Sequence, residues 1–302
     1  MIYIFGPVKS RRFGISLGID LSPDKKSCNF DCLYCELEKA KPVSKIENEP
    51  PVEDIIKEVK EFLSKNPYPD VITVTANGEP TLYSKLEELI DKLNQIKNGS
   101  KTLILSNGST INNPNVRKAL KKFDIVKLSL DAADEKTFRK VDKPLKGISI
   151  ADIIKGMEEF RKEYNGLLII EILVVKNVND TEENIKNISE VLKRIKPDRV
   201  DIGTIDRPPA YRVYPVSNEE LYHLASLIEG QNVVVVSRKN ESVPKFSLTK
   251  EDIINTLKKR AYTKDDIEGL LDENSKKNFL ELLKEGEIKE EEEMGVIFYR
   301  VK

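Results

Sequence analysis

Three cysteines lie within eight residues, and the chain has no others: Cys28, Cys32 and Cys35, in the spacing C-x3-C-x2-C. Thiolate sulfur is a soft ligand that favours iron–sulfur clusters. Three thiolates can bind three irons of a four-iron cluster and leave the fourth iron open to another ligand. The spacing therefore predicts one cluster with an open iron, which is a place where chemistry can occur.

Two further roles for the cysteines stay open. A structural zinc ion would need a fourth ligand, and the only histidine, His223, lies far along the chain in a helical pattern typical of a helix surface. The thiols could also be unpaired structural residues. An odd count argues against a disulfide framework, and free thiols predict a reducing, cytoplasmic location.

Length and charge limit the possible classes of protein. The chain has 302 residues, enough for one large domain with a small appendage, and a net charge of −1. This charge gives no global field that would attract nucleic acid or an anionic membrane. No apolar run approaches the roughly 18 residues that span a bilayer, and the N-terminus lacks the basic flank of a signal peptide.

Apolar runs alternate with helical patterns over residues 1–240. The runs fall at 15–19, 71–75, 102–105, 125–130, 167–175, 200–203 and 233–236. Continuous apolar strands separated by helices are typical of a buried parallel sheet with right-handed crossovers. We expect an α/β domain of about six or seven strands, a partial (β/α)6-type barrel; an open doubly wound sheet is the alternative.

Polar residues follow or interrupt several of these strands. They include residues 77–81, 106–109 and 204–209, together with Ser129, Asp131 and Glu171. In β/α barrels the carboxyl ends of the strands form the active face, so these groups should converge on one opening. A carboxylate within an apolar run, such as Glu171, is costly to bury unless it is paired or functional. Asp131 and Asp206 could equally cap helices or form turns.

Residues 246–302 have a different pattern. Three helical segments, two of them begun by the N-cap signals of Thr249 and Thr263, precede a strand pair, which is the order of a winged-helix domain. We place a linker at 238–246. The segment holds 11 Lys/Arg and 14 Asp/Glu, with acids at 290–293 on the hairpin, so DNA binding is disfavoured. A lid or a protein-docking module fits better, and RNA contact stays open.

Basic residues lie near the predicted opening. Lys9, Arg11 and Arg12 precede the first strand, and Arg207 follows a late one. They could form a rim that binds phosphate, carboxylate or an RNA backbone. They could equally form ion pairs at the surface, which is the role favoured for Lys9.

The cysteine loop, with Tyr34 before the third cysteine, resembles the signature of the radical S-adenosylmethionine (SAM) superfamily. Residues 77–80, Asn-Gly-Glu-Pro, resemble that family's Gly-Gly-Glu-Pro motif, with Asn77 in place of the first glycine. The likeness covers residues 10–237. Further segments resemble a sister group in the branch that contains the archaeal wyosine synthases; they are 5–12, 78–83, 106–108 and 207–210.

The resemblance implies two cofactors and a set of contacts. Cys28, Cys32 and Cys35 would hold a [4Fe–4S] cluster whose fourth iron is chelated by S-adenosyl-L-methionine. An electron from the cluster would cleave SAM, and the resulting 5′-deoxyadenosyl radical would take a hydrogen atom from the substrate. The SAM amino group would be contacted by Asn77, Gly78, Glu79 and Pro80. The ribose or carboxylate of SAM would be contacted by Ser106, Asn107, Ser129 and Glu171. The adenine would pack on Tyr34 and Ile202.

We therefore expect a radical SAM enzyme, with RNA as the first candidate substrate and a reductant such as ferredoxin or flavodoxin. No cysteine remains for a second cluster, which favours one hydrogen abstraction followed by rearrangement, carbon–carbon bond formation or glycyl-radical generation. The alternative is a cluster-bearing redox or SAM-responsive regulator that binds nucleic acid or protein through the winged helix. Such a regulator should bind duplexes with a steep salt dependence.

Overall fold

The computed structural model describes residues 2–10, 12–235, 244–293 and 296–302. Arg11 and most of the linker predicted at 238–246 lie outside the described residues. The N-terminal part is built on one large sheet, and the residues from 244 onward form a smaller unit with a sheet of its own.

Eight strands form the large sheet. They are β1 (Ile4–Ser10), β2 (Gly14–Asp20), β3 (Val71–Thr75), β4 (Lys101–Ser106), β5 (Ile125–Ser129), β6 (Leu167–Val174), β7 (Arg199–Thr204) and β8 (Val233–Val235). Their order in the sheet follows their order in the chain. Strands β2 to β8 are parallel, and β1 pairs with β2 in the antiparallel sense. The seven predicted strands correspond to β2–β8, and the antiparallel strand β1 was not predicted.

Strand β1 escaped the sequence pattern for a physical reason. It contains Gly6 and Pro7, and its pairing with β2 is irregular between Phe5 and Val8. Proline cannot donate to a strand ladder and is therefore confined to edge strands and bulges. The edge position of β1 in the sheet meets this requirement.

Seven helices connect these strands. They are α1 (Val52–Lys65), α2 (Leu86–Ile96), α3 (Pro114–Leu120), α4 (Glu135–Val141), α5 (Ile150–Glu163), α6 (Glu182–Ile195) and α7 (Asn218–Ser226). The helical patterns of the sequence predict a helix near Glu135–Val141 and one over Glu182–Ile195, and α4 and α6 confirm these bounds, whereas α1 was not predicted. In the part of the chain that the structure describes, no helix is long and apolar enough to cross a membrane.

The two faces of the sheet bury different side chains. On the outer face, Ile72, Val126 and Ile170 are fully buried in the core that includes the helices. On the inner face a separate apolar cluster forms a floor; it includes Val71, Leu103, Ile125 and Ile169. Side chains alternate between faces along a strand, so residues two positions beyond this floor also point inward.

Charged residues occupy that next inner layer and show how the sheet curves. Arg12, in the turn between β1 and β2, lies 2.6 Å from Glu171 on β6 and 3.2 Å from Asp201 on β7. Contacts from the turn before β2 to β6 and β7 require the sheet to curl around its interior. In a doubly wound sheet helices would cover this face, whereas here the face encloses ion pairs. Within the described ranges, β8 pairs only with β7, which leaves the curled sheet open.

The C-terminal unit contains three helices and three strands. In order, they are α8 (Lys250–Lys259), β9 (Tyr262–Thr263), α9 (Lys264–Leu270), α10 (Glu273–Glu285), β10 (Ile288–Glu293) and β11 (Val296–Val301). The strands form an antiparallel sheet in the order β10-β11-β9. The N-caps predicted at Thr249 and Thr263 are confirmed, each within a capping box.

The C-terminal unit packs against the edge strand β1. The Tyr262 hydroxyl donates to the Pro7 carbonyl at 3.1 Å, and the Gly6 amide donates to Thr256 Oγ1 at 3.0 Å. Val8 of β1 belongs to the apolar core of this unit. Covering an edge strand protects its unpaired backbone groups from other chains.

We expect Tyr262→Phe to lower the free energy of unfolding by about 1 kcal/mol, because it leaves the buried Pro7 carbonyl without its donor. Urea unfolding of the full chain measures this change. Tyr222→Phe is the matched control, since Tyr222 is 59% exposed. Equal stability of the two variants would contradict a contribution from the Tyr262–Pro7 contact.

Candidate active site

The cysteines lie in the long connection from β2 to α1, at the carboxyl end of β2. All three are free thiols and partly exposed. The Cys35 amide donates to the Cys32 carbonyl at 3.2 Å, and the Val43 amide donates to the Cys28 carbonyl at 2.8 Å. These bonds fold the connection that carries the three cysteines back on itself.

The segment after β3 is joined to this loop through its backbone. The Ser27 amide donates to the Asn77 carbonyl at 2.8 Å, and the Glu79 amide donates to the Ser27 carbonyl at 2.9 Å. Between them Gly78 has φ +139°, and a Cβ there would lie 1.9 Å from the Ser27 oxygen. Only glycine fits such a close approach. The structure thus brings the predicted SAM motif, including Pro80, against the residue that precedes Cys28.

Glu79 connects the ends of β3 and β4. It is 1% exposed, and its Oε1 accepts from Thr81 Oγ1 at 2.6 Å and Ser106 Oγ at 2.8 Å. The Asn107 amide donates to Oε2 at 2.7 Å. Burial raises the pKa of Glu79, and these hydrogen bonds oppose the rise. In this structure Glu79 orders the site from within; its contact with SAM, like those of Ser106 and Asn107, stays a prediction.

Asn107 extends the connection to the cysteines. Its Nδ2 donates to Asn29 Oδ1 at 2.9 Å and lies 3.8 Å from the sulfur of Cys28. Asn29 in turn donates to Ser109 Oγ at 2.6 Å. The carboxyl end of β4 is therefore held against the cysteine loop, as its position after an apolar strand predicted.

Two buried carboxylates lie on the other side of the loop. The Tyr34 hydroxyl donates to Asp131 Oδ2 at 2.5 Å, and the Cys32 thiol donates to Asp142 Oδ1 at 3.3 Å. Burial raises the pKa of Asp131 to about 7. Burial and the nearby Asp131 charge raise the pKa of Asp142. Asp131 also accepts a hydrogen bond from the Leu173 amide at 2.7 Å and so connects Tyr34 to β6. Its role here is therefore more than the helix cap or turn that the sequence left open.

The thiols themselves are hard to ionise in this environment. Burial, with the charge of Glu79, raises the pKa of Cys28 to about 12. Burial also raises the pKa of Cys32, with a contribution from Asp142. The pKa of Cys35 is raised by burial while Lys26 opposes it. Metal ligands must be deprotonated, so loading this loop with iron releases protons.

A charged layer lies on the inner face of the sheet. Glu171 Oε1 is 2.5 Å from Lys127 and 2.6 Å from Arg12, while Asp201 is 2.8 Å from Arg199. Burial would raise the pKa of Glu171, but Lys127 and Arg12 lower it to about 2. Burial lowers the pKa of Lys127 to about 8. Arg12 is thus ion-paired inside the sheet, which differs from both the rim and the surface pairing considered from the sequence.

The remaining residues singled out from the sequence lie in different environments. Ser129 is half-buried and lies opposite Glu171 in the pairing of β5 with β6. Ile202 is fully buried in the core that includes the helices, so it presents no surface on which adenine could pack. His223 is exposed on α7 and its Nε2 lies 2.9 Å from Glu182, which confirms the helix-surface interpretation.

Comparisons with known proteins agree with this arrangement. The model of the Radical SAM superfamily matches residues 25–188, which contain the cysteine loop and strands β3 to β6. A UPF0026 protein of Helicobacter pylori is 44% identical over 287 residues, covering 94% of this chain and 93% of that protein. The chain belongs to the radical SAM superfamily.

Solved structures of other proteins support the fold. A structure of TYW1 with a lysine–pyruvate adduct bound is 19% identical, with a TM-score of 0.53 over 75% of this chain and 76% of that chain. Streptococcus suis SuiB bound to S-adenosylmethionine is also 19% identical, with a TM-score of 0.52 over 70% of this chain and 48% of that chain. At these identities the likeness concerns the fold alone.

Superfamily membership confirms the enzyme class and the two predicted cofactors, a [4Fe–4S] cluster and SAM. The donor set fits the cluster. Within the described ranges, no group of three or more His, Cys, Asp or Glu side chains surrounds one point as a single metal ion requires. A four-iron cluster does not need such a group, because each thiolate binds a different iron. The three free thiols of this loop are the donor type that such a cluster takes.

Sequence reasoning missed several residues of this site. Asp20, at the carboxyl end of β2, accepts from the Asn77 amide at 2.7 Å and the Ser22 amide at 2.9 Å through Oδ1, and its Oδ2 pairs with Lys259 of α8. Lys127 lies within an apolar run of the sequence, and this position could have indicated a buried charge. Asp142 and Lys259 carried no such signal, since their partners are far away in sequence.

In the wild type the free energy of unfolding should increase between pH 8 and 10.5, and we expect Lys127→Met to reduce this increase. The folded pKa of Lys127 is about 8 against an ordinary 10.5, so the unfolded chain binds the proton more tightly. The resulting cost is present below pH 8 and disappears as the pH rises toward 10.5, with a span on the order of 3 kcal/mol.

Urea unfolding of wild type and variant between pH 8 and 10.5 measures the difference in slope. Lys146→Met controls for the loss of an exposed ammonium, and its curve should run parallel to the wild type. Parallel curves for Lys127→Met as well would show that Lys127 titrates alike in both states.

We expect Asp20→Ala to weaken SAM binding about tenfold, because the Asn77 backbone loses its acceptor, a change worth about 1.4 kcal/mol. Asp20→Asn should have a smaller effect, since Asn retains an Oδ1 acceptor. Equilibrium binding of SAM to the cluster-loaded protein measures both. Asp24→Asn, exposed in the same connection, is the control, and an Asp20→Ala protein that matches it would contradict the role of Asp20.

Proposed function

We propose that this protein is a single-cluster radical SAM enzyme that cleaves SAM reductively and takes a hydrogen atom from its substrate. The observation that carries the proposal is the joint between the loop of Cys28, Cys32 and Cys35 and the Asn77–Glu79 segment. When bound, the cluster supplies the electron that cleaves SAM. The chain supplies the ligands, the orientation and the exclusion of water.

The chain's residues divide this task. Cys28, Cys32 and Cys35 hold three irons, and the backbone at Asn77 and Gly78 meets the SAM amino group. Support comes from the direct hydrogen bonds between that segment and Ser27. Ser129 and Glu171 reach the ribose or carboxylate from the inner face of the sheet. Tyr34, held by Asp131, provides the ring beside the adenine.

We propose two domains, a partial barrel at 1–240 and a winged-helix domain at 246–302. The helix, strand, helix, helix and hairpin order of the C-terminal unit supports the latter. Four consecutive acids, Glu290–Glu293, lie on β10 and would repel a phosphate backbone. This charge favours a substrate-covering or docking role over DNA recognition.

RNA is the first candidate substrate, and it rests on the motif likeness to the wyosine-synthase branch. Reducing power would come from a small carrier such as ferredoxin or flavodoxin. With only three cysteines in the chain, no auxiliary cluster assists the chemistry. The reaction is therefore one that a single hydrogen abstraction can start, such as rearrangement or carbon–carbon bond formation.

Cys32→Ala tests the proposal. After anaerobic loading with iron and sulfide, the wild type should bind about four irons per chain and form 5′-deoxyadenosine when reduced in the presence of SAM. The variant should lose both, because one iron has no thiolate. Ser44→Ala, exposed in the same connection, is the control, and liquid chromatography with mass spectrometry detects the product. Cleavage that survives in Cys32→Ala would overturn the proposed function.

A further inference from the structure

Two arginines meet in the seam between the C-terminal unit and the curled sheet. Arg207 lies after β7, and Arg260 follows the last residue of α8. Arg207 Nη1 donates to the carbonyl of Ala261, the residue after Arg260, at 2.8 Å. Arg260 Nη2 donates to the Lys9 carbonyl at 3.4 Å. One guanidinium comes from each unit, and the two lie close together.

Arg260 is a half-buried cation whose guanidinium is incompletely hydrogen-bonded. Its Nε is buried and has no hydrogen-bond partner. Among the residues that the structure describes, no carboxylate forms an ion pair with it, whereas its neighbours Lys259 and Arg207 pair with Asp20 and with Glu36 at 3.7 Å. Burial and the charge of Arg207 lower the pKa of Arg260 to about 10. Two guanidinium groups close together, one of them with a buried and unbonded nitrogen, would be stabilised by an anion that joins them.

The seam adjoins the cofactor site. Glu36, the partner of Arg207, directly follows Cys35, and the Ala210 amide donates to the Cys35 carbonyl at 2.9 Å. The segment that carries Arg207 leaves the carboxyl end of β7, the same end at which the cysteine loop lies. An anion held between the two arginines would therefore lie beside the cysteine loop.

We propose that Arg207 and Arg260 form a phosphate-binding site that anchors a phosphate-bearing substrate at the opening of the sheet. Guanidinium groups present planar forks of N–H donors that match phosphate oxygens. Phosphate has more acceptor oxygens than a carboxylate, so it can accept a bidentate fork from each arginine on separate oxygens. The inference deepens the proposed function, on which it rests, because it names the substrate class for that opening.

Phosphate-dependent stabilisation tests the site. The cluster-loaded full chain is unfolded by heat in potassium phosphate and in potassium chloride of equal ionic strength. Phosphate at about ten times its Kd should raise the wild-type Tm by about 2–4 °C. Arg260→Met and Arg207→Met should each lose this shift.

Lys258→Met is the matched control, because Lys258 is exposed on the same helix and its loss removes the same charge. It should keep the phosphate shift. Arg260→Lys keeps the charge but not the fork, so it should fold and show a reduced shift even if Arg260→Met does not fold. A wild type without a shift, or a full shift in Arg260→Lys and Arg207→Met, would overturn the proposal.

Two further probes distinguish the source of the phosphate. A labelled 12-nucleotide single-stranded RNA and free AMP are each tested for binding that Arg207→Met weakens at least fivefold. Arg207-dependent binding of the RNA assigns the site to an RNA backbone, and such binding of AMP alone assigns it to a free nucleotide. A phosphate shift with neither assigns it to another phosphorylated compound.

This test is independent of SAM cleavage. Phosphate binding requires neither reductant nor SAM, so it can fail while 5′-deoxyadenosine still forms, which would leave the proposed function intact. Conversely, a Cys32→Ala protein that retains SAM cleavage would overturn the proposed function, and the phosphate shift would then define an anion site of unassigned use.

Discussion

The arrangement of the site depends on two backbone hydrogen bonds between Ser27 and the Asn77–Glu79 segment. They fix the distance between the cysteine loop and the strand end that follows β3, and they require a residue without a side chain at Gly78. Backbone groups hold this joint, so it does not depend on flexible side chains. The segment proposed to hold SAM therefore has a fixed position relative to the cysteine loop.

Two kinds of buried carboxyl group lie around this hydrogen-bonded contact: some are ion-paired and others are not. On the inner face, Glu171 and Asp201 face Arg12, Lys127 and Arg199, and these contacts hold Glu171 ionised. Beside the cysteines, Asp131 and Asp142 form no ion pair with the cations that the structure describes, and burial raises the pKa of both. The ion pairs fix the curvature of the sheet, while the two carboxyls accept hydrogen bonds from Tyr34 and Cys32. Carboxyls with raised pKa values ionise less readily and so add less negative charge beside the cysteine loop.

Local patterns predicted what depends on local spacing. The cysteine loop, the parallel strands and the bounds of α4 and α6 follow from residues close in sequence. Local spacing does not show which face of a fully buried strand a side chain occupies, because the strand is apolar on both faces. The sequence analysis therefore places Ile202 in the site, whereas the structure places it in the core that includes the helices. Asp20 and Lys259 are 239 residues apart, and no pattern joins such residues. Pro7 concealed β1.

The C-terminal unit belongs to the architecture of the active site. Asp20 uses one carboxylate oxygen to hold the Asn77 amide and the other to pair with Lys259. Displacement of α8 would leave a buried carboxylate unpaired next to the SAM motif, which is costly. The same helix end brings Arg260 to Arg207 beside the cysteine loop. A substrate that occupies the seam would therefore stabilise α8 against the sheet, and through Asp20 it would stabilise the segment proposed to hold SAM.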